Sequence, residues 1–123
     1  MRLWHESLIN RLPRQQLLGQ HREACALRGN GWERRHRTVD YVFAYSPYKL
    51  YQYHVLVMEE MKRRGYQPDT TWEDPLYRGK SCPAHVTLPK VEWTEPIYSE
   101  HDALYLEECF QNLEEKGIYL REA

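Results

Sequence analysis

The sequence has no long apolar run. Its longest uncharged and mostly apolar stretch, around Val55 to Met58, is far too short to span a bilayer, which excludes a transmembrane helix. The opening residues Met1-Arg2-Leu3-Trp4-His5-Glu6 lack the apolar core of a secretory signal, so a cytoplasmic protein is expected. Cysteine is scarce. Cys25, Cys82 and Cys109 are odd in number and irregularly spaced, which excludes a disulfide framework and reads as three reduced thiols. Zinc-ligand spacing is also missing: Cys82 and His85 lie close together, but no second pair accompanies them, so no metal is expected. There is no glycine-rich phosphate loop, no nucleophile elbow and no His-Glu-x-x-His helix. Ordinary nucleotide-binding and hydrolase patterns are thereby excluded, and no cofactor is implied. Internal repeats and low-complexity tracts are absent as well.

What is present fits one soluble domain over residues 1–123. The chain is 41% hydrophobic and 28% charged, and its length allows one modest core. A net charge of −1 speaks against a polyanionic partner until it is read by halves. Residues 1–65 hold 12 Lys+Arg against 6 Asp+Glu, a balance of +6, and residues 66–123 hold 5 against 12, a balance of −7. A polyanion is therefore expected to meet the first half, with the acidic third helix facing away; mutual attraction of the halves on folding is the alternative.

Three helices are predicted. The first begins near Pro13 and stops at Gly29-Asn30-Gly31. Leu17, Leu18, His21, Ala24 and Cys25 share one of its faces; Gln15, Gly19, Arg22, Glu23 and Ala26 share the opposite one. The second has Ser46 as N-cap, Pro47 next and Gly65 as terminator, with Leu50, Tyr53, His54, Val57, Met58 and Met61 as its apolar stripe. The third is expected from Ser99, with Asp102 three residues on, to Gly117, burying Ala103, Leu106, Phe110 and Leu113. Residues 66–98 carry five of the seven prolines together with Trp72, Tyr77, Trp93 and Tyr98. So many prolines exclude a long helix, and the aromatics exclude a floppy linker. An ordered excursion pinned by its rings is expected, with a short strand at residues 85–88. The fold class is all-α.

Two places carry chemistry. Glu23 has Gly19 a turn before it and Ala26 nearly a turn after, which leaves a shallow space beside a carboxylate, and Arg22 lies about 100° around the helix. The loop Gly31-Trp32-Glu33-Arg34-Arg35-His36-Arg37 concentrates Arg34, Arg35 and Arg37. Guanidinium forks suit phosphate, and Trp32 suits stacking on a base or wedging into a duplex. The run Tyr41, Phe43, Tyr45, Tyr48, Tyr51 and Tyr53 is read as core or half-core.

The string Leu12-Pro13-Arg14-Gln15-Gln16-Leu17-Leu18-Gly19-Gln20-His21-Arg22-Glu23 resembles the first long helix of the phage endonuclease V type of pyrimidine-dimer DNA glycosylases. Tyr48-Lys49-Leu50 and Met58-Glu59-Glu60-Met61-Lys62-Arg63-Arg64-Gly65-Tyr66 resemble its second helix, and Asp69-Thr70-Thr71 and Arg78-Gly79 agree beyond it. The resemblance covers residues 1–80. It implies a compact helical enzyme, acting on damaged double-stranded DNA, whose N-terminus threads between helices to reach the active site. The nucleophile it implies is the main-chain α-amine, assigned to Met1 because Arg2 blocks removal of the initiator. Glu23 matches the carboxylate beside the cationic sugar, and Arg22 and Arg2 match residues that grip phosphate. The chain departs from the family pattern at Ala26, where a second arginine is expected, and at its end, Ile118-Tyr119-Leu120-Arg121-Glu122-Ala123, where an aromatic and basic segment is expected. The implied activity is a metal-free, monomeric glycosylase and abasic-site lyase. A catalytically silent DNA-binding module of the same fold and a protein-interaction domain are the alternative classes.

Overall fold

The computed structural model describes residues 2–121; Met1 and residues 122–123 lie outside the description. Three α-helices carry the fold: α1, Arg14–Arg28; α2, Pro47–Arg63; and α3, Ala103–Glu115. Short 3-10 segments occur at Glu6–Arg11, Asp40–Ala44 and Thr70–Glu73. No strand occurs among the described residues, as an all-α fold requires. The strand expected at residues 85–88 is absent: His85 N–H bonds to the Leu76 carbonyl at 2.9 Å, and the ladder goes no further.

Local chemistry sets the helix ends. The Ser46 hydroxyl accepts the Tyr48 N–H at 3.1 Å, with Pro47 in the first helical position where no N–H is needed. At the other end Gly65 takes φ +93°. Its N–H meets the Lys62 carbonyl, and that of Tyr66 meets the Met61 carbonyl, both at 2.9 Å. This paired closure needs a left-handed residue, which glycine supplies without steric cost. The third helix starts later than expected. The Ser99 hydroxyl is bonded to the Tyr45 hydroxyl, and Asp102 caps instead, accepting the Tyr105 N–H at 2.8 Å.

α1 packs against α2, and the core gathers Leu3, Leu8, Leu12, Leu17, Leu27, Leu50, Tyr53, Val57, Tyr98 and Leu113. The whole predicted stripe of α2 is buried. The α1 face is rotated from the expected one: Leu17, Gln20, Ala24, Leu27 and Arg28 are buried, whereas Leu18, His21 and Cys25 are half-buried. In α3 the buried residues are Cys109 and Leu113; Leu106 and Phe110 are half-buried and Ala103 is exposed.

Residues 66–98 are held as much by polar side chains from the helices as by their own rings. The buried Arg28 guanidinium donates to the carbonyls of Trp72 (2.8 Å), Asp74 (2.7 Å) and Tyr77 (3.1 Å). Gln52 reaches the Val91 carbonyl and Lys49 the Ile97 carbonyl, both at 2.8 Å. Trp72 packs between His54 and Tyr77 and Tyr98 is buried, but Trp93 is largely exposed. Where this excursion returns to α1, the Arg78 carbonyl would lie 2.6 Å from any Cβ at position 29. Only glycine fits there.

Candidate active site

The N-terminal segment crosses all three helices, and side chains meet five of its main-chain groups. Arg2 N–H donates to Glu23 Oε2 at 3.2 Å, and the Arg2 carbonyl accepts Gln20 Nε2 at 3.0 Å. The Leu3 carbonyl accepts the Tyr105 hydroxyl at 2.5 Å. Trp4 N–H donates to Gln20 Oε1 at 2.7 Å, and the Trp4 carbonyl accepts the Tyr53 hydroxyl at 2.5 Å. A segment that belongs to no helix or sheet needs such partners, because a buried unpaired main-chain group costs about as much as a lost hydrogen bond. Leu3, fully buried, and Trp4, 7% exposed, supply the apolar anchor.

Glu23 is half-buried and opens into a pocket of about 290 Å³ lined also by Arg2, Trp4, His36, Thr38, Asn112 and Lys116. Arg2 lies against the rings of Trp4 and Tyr105 and reaches Glu108 Oε1 at 3.3 Å. Burial opposes its charge, yet Tyr105 and Glu108 more than offset this, so its pKa stands above the ordinary arginine value. The pocket thus sets one carboxylate among a guanidinium, an imidazole and an ammonium. Such a site can hold a sugar–phosphate, with anion-binding groups at its rim and a negative charge for a developing cation.

The expectation that the acidic third helix turns away is corrected here. α3 lays Cys109 and Leu113 into the core, and this brings Glu108, Asn112 and Lys116, at four-residue spacing, to the edge of the N-terminal segment. Glu107 and Glu114 instead hold Arg121.

The arginine loop divides among three places. His36 and Thr38 reach the Glu23 pocket. Arg34 lines a separate groove with Trp72, Arg78, Lys80 and Cys82. Arg35 stands 3.9 Å from Asp40, beside another depression that includes Glu33. Arg37 is exposed. Trp32 is packed edge-on against Phe43, with ring centres 5.1 Å apart, so its ring serves the core. Arg22 is exposed next to Glu23 and does not line the pocket. Met1, the expected nucleophile, lies outside the described residues.

Sequence reasoning missed Gln20, Tyr53, Tyr105, Asn112 and Lys116. Gln20 had a signal, a polar residue in a stripe otherwise made by Leu17, Ala24 and Leu27. It also passed over a cluster of His21, Cys25 and His54, whose ligand atoms lie within 4.8 Å of one another. Arg28 Nη1 lies 3.0 Å from His54 Nδ1, and His54 Nε2 lies 2.8 Å from His21 Nδ1. Arginine can only donate, so a neutral His54 carries its proton on Nε2 and directs it at His21. Binding a cation through that nitrogen would cost the ring its last proton. Burial, then Arg28 and His21, hold the His54 pKa well below the usual histidine range.

The family model described as pyrimidine dimer DNA glycosylase matches residues 1–74. The chain belongs to the pyrimidine dimer DNA glycosylase family. Among curated proteins and solved structures, none matches. The matched stretch holds Arg2, Gln20, Glu23 and Tyr53, so this glycosylase-family chain carries the apposition of the N-terminal segment and Glu23 within the family region. Tyr105, Asn112 and Lys116 reach the same pocket from beyond it. No helix among the described residues is long and apolar enough to cross a membrane.

Proposed function

We propose that this glycosylase also cuts the DNA strand, using its N-terminal α-amine as nucleophile and Glu23 as the carboxylate of the site. The observation that carries the reading is the 3.2 Å contact between the main-chain nitrogen of residue 2 and Glu23 Oε2. Met1 is joined through its carbonyl to that same nitrogen, and the reading assigns the reacting α-amine to Met1. In a chain processed to begin at Arg2, the contacting nitrogen itself would be the α-amine.

An α-amine has a pKa of about 8, against roughly 10.4 for lysine, so an appreciable neutral fraction exists at pH 7. The neutral amine attacks C1′ of the damaged nucleotide, the base departs with the electrons of the glycosidic bond and takes up a proton, and loss of the amine protons with ring opening leaves an imine. The imine acidifies the C2′ proton; its removal expels the 3′ phosphate by β-elimination, and water then releases the sugar and restores the amine. Glu23 stabilises the cationic sugar and serves in proton transfer. Arg2, Arg22, Arg34, Arg35 and Arg37 are assigned to the phosphates of a bent duplex from which a nucleotide is turned out. The weaker pairing of a lesion lowers the cost of that step.

Borohydride trapping on an abasic-site oligonucleotide tests this. The wild-type chain should give a covalent adduct, and peptide mapping should place the sugar on the first residue. Glu23→Gln should bind the same DNA and trap at least about a hundredfold more slowly. DNA binding without any adduct would assign the chain to the catalytically silent class, and no binding at low salt would remove both readings.

A further inference from the structure

Gln20 is 2% exposed. An apolar side chain would fill its place in the α1 stripe at less desolvation cost, so the buried carboxamide calls for a reason. Its bonds supply one. Nε2 donates to the carbonyl of Arg2, and Oε1 accepts the N–H of Trp4. This is the pattern with which one residue of a parallel strand bonds to its neighbour, reaching the residues on either side of the one it faces. A helix side chain thus does the work of a strand opposite Leu3 and fixes the register of residues 2–4. The orientation of the amide is unambiguous, because an N–H needs the oxygen and a carbonyl needs the NH₂. The Tyr53 hydroxyl braces the same oxygen at 3.0 Å.

Nε2 also lies 3.4 Å from Glu23 Oε2, the oxygen that accepts Arg2 N–H, and has a second proton to offer it. Gln20 and Glu23 are one helical turn apart, so the main chain of residue 2 is held at its carbonyl by one and at its nitrogen by the other. We infer that Gln20 is a positioning residue for the reaction, keeping the main chain of residue 2, to which the reacting amine is joined, apposed to the Glu23 carboxylate. The inference rests on the proposed amine chemistry for its kinetic consequence and on geometry alone for its hold on residues 2–4. A displacement of about 1 Å is enough to cost on the order of a hundredfold in a reaction that depends on proximity.

Gln20→Glu tests it. The shape and the acceptor for Trp4 remain, but a carboxylate oxygen now faces both the Arg2 carbonyl and Glu23. The other charged or titratable groups facing Glu23 are Arg2 from the N-terminal segment, His36 from the loop and Lys116 from α3, with Arg22 beside it on α1; all are unchanged. Single-turnover trapping at pH 7 should slow about tenfold to a hundredfold, with DNA affinity within about twofold. The main-chain amides of Arg2 and Trp4, followed by hydrogen exchange, should exchange faster relative to core amides such as that of Val57, because a carboxylate repels the Arg2 carbonyl that Nε2 held. Leu113→Ala, a core truncation that lowers stability without touching these bonds, should speed exchange at all these amides alike and so separates positioning from folding. Wild-type exchange and a wild-type trapping rate in Gln20→Glu would overturn the inference, as would a slower rate that follows only the unfolded fraction. If the wild type forms no adduct, the amine chemistry fails, and the exchange of the Arg2 and Trp4 amides still decides whether Gln20 holds this segment.

Discussion

Glu23 and Lys116 face one small pocket from two helices, and their charges serve different ends. The carboxylate has the main-chain nitrogen of Arg2 beside it, whereas the ammonium, bonded to Asn112 Oδ1 at 3.1 Å, lines the same pocket, where the proposed reading brings a phosphate. A phosphate contact releases a counterion, so losing one lowers the slope of log affinity against log salt by about 0.9. Lys116→Ala should show this loss with abasic-site DNA in a fluorescence anisotropy series, and Arg22→Ala should show it as well. The comparison is informative because Arg22 lies next to Glu23 in sequence and outside the pocket lining, while Lys116 is distant in sequence and inside it. An unchanged slope for Lys116→Ala would remove α3 from the DNA-facing surface.

At the scale of elements, Arg28 ties the excursion to α1 and α2. Burial pulls its pKa down to about 10. Its N–H groups satisfy three carbonyls, and its plane lies against Trp72 and Tyr51. Arg28→Met would keep much of the volume and orphan those carbonyls, at about 1–3 kcal/mol for each one left unpaired and buried. Fast amide exchange confined to residues 72–79, with a lower urea midpoint, is the expected signature; uniform protection would show that the rings alone hold the excursion.

The same residue explains what could be read in the chain and what could not. The start of α2 at Ser46-Pro47, its end at Gly65 and its stripe from Leu50 to Met61 were legible because local rules decide them. The α1 face was misjudged because Gln20 and Arg28, both polar, are buried by partners distant in sequence. The sequence puts the α3 start at Ser99, but a tertiary bond to Tyr45 occupies that hydroxyl and Asp102 caps instead. Of the candidate site, Arg2 and Glu23 were legible, through resemblance to the family. Tyr53, Tyr105 and Lys116 were not, because their roles exist only once three helices converge on the N-terminal segment.

The whole molecule carries a set of histidines that the fold keeps neutral. His101 accepts Glu6 N–H at Nδ1 (3.2 Å) and meets the Tyr41 hydroxyl at Nε2 (2.7 Å). Burial first, then the neighbouring His5, push its pKa down to about 3. His54 lies in the same direction, as do His5 and His21. In the unfolded chain these rings titrate near 6.5, so below that pH the unfolded state binds protons that the folded state refuses. Stability is full above about pH 6.5 and falls as the pH drops toward about 3, by roughly 1.4 kcal/mol per pH unit for each ring kept neutral. The urea midpoint should therefore decline between pH 7 and pH 4.5, and more shallowly in His101→Gln; equal declines would assign the acid sensitivity to other groups.

The clamped N-terminal segment also makes the protein a counter of residues. Gln20, Tyr53 and Tyr105 grip peptide groups, so the identity of the first side chain matters less to them than its distance along the backbone from Leu3. Exchanging residue 1 would leave every grip in place. Inserting one residue between Arg2 and Leu3 would hand the groups that Glu23 and Gln20 hold to the inserted residue and move Arg2 one place along the chain from Glu23. The proposed active centre is addressed by position, and a gene that gained or lost a single codon there would lose what many point changes at the same spot would spare.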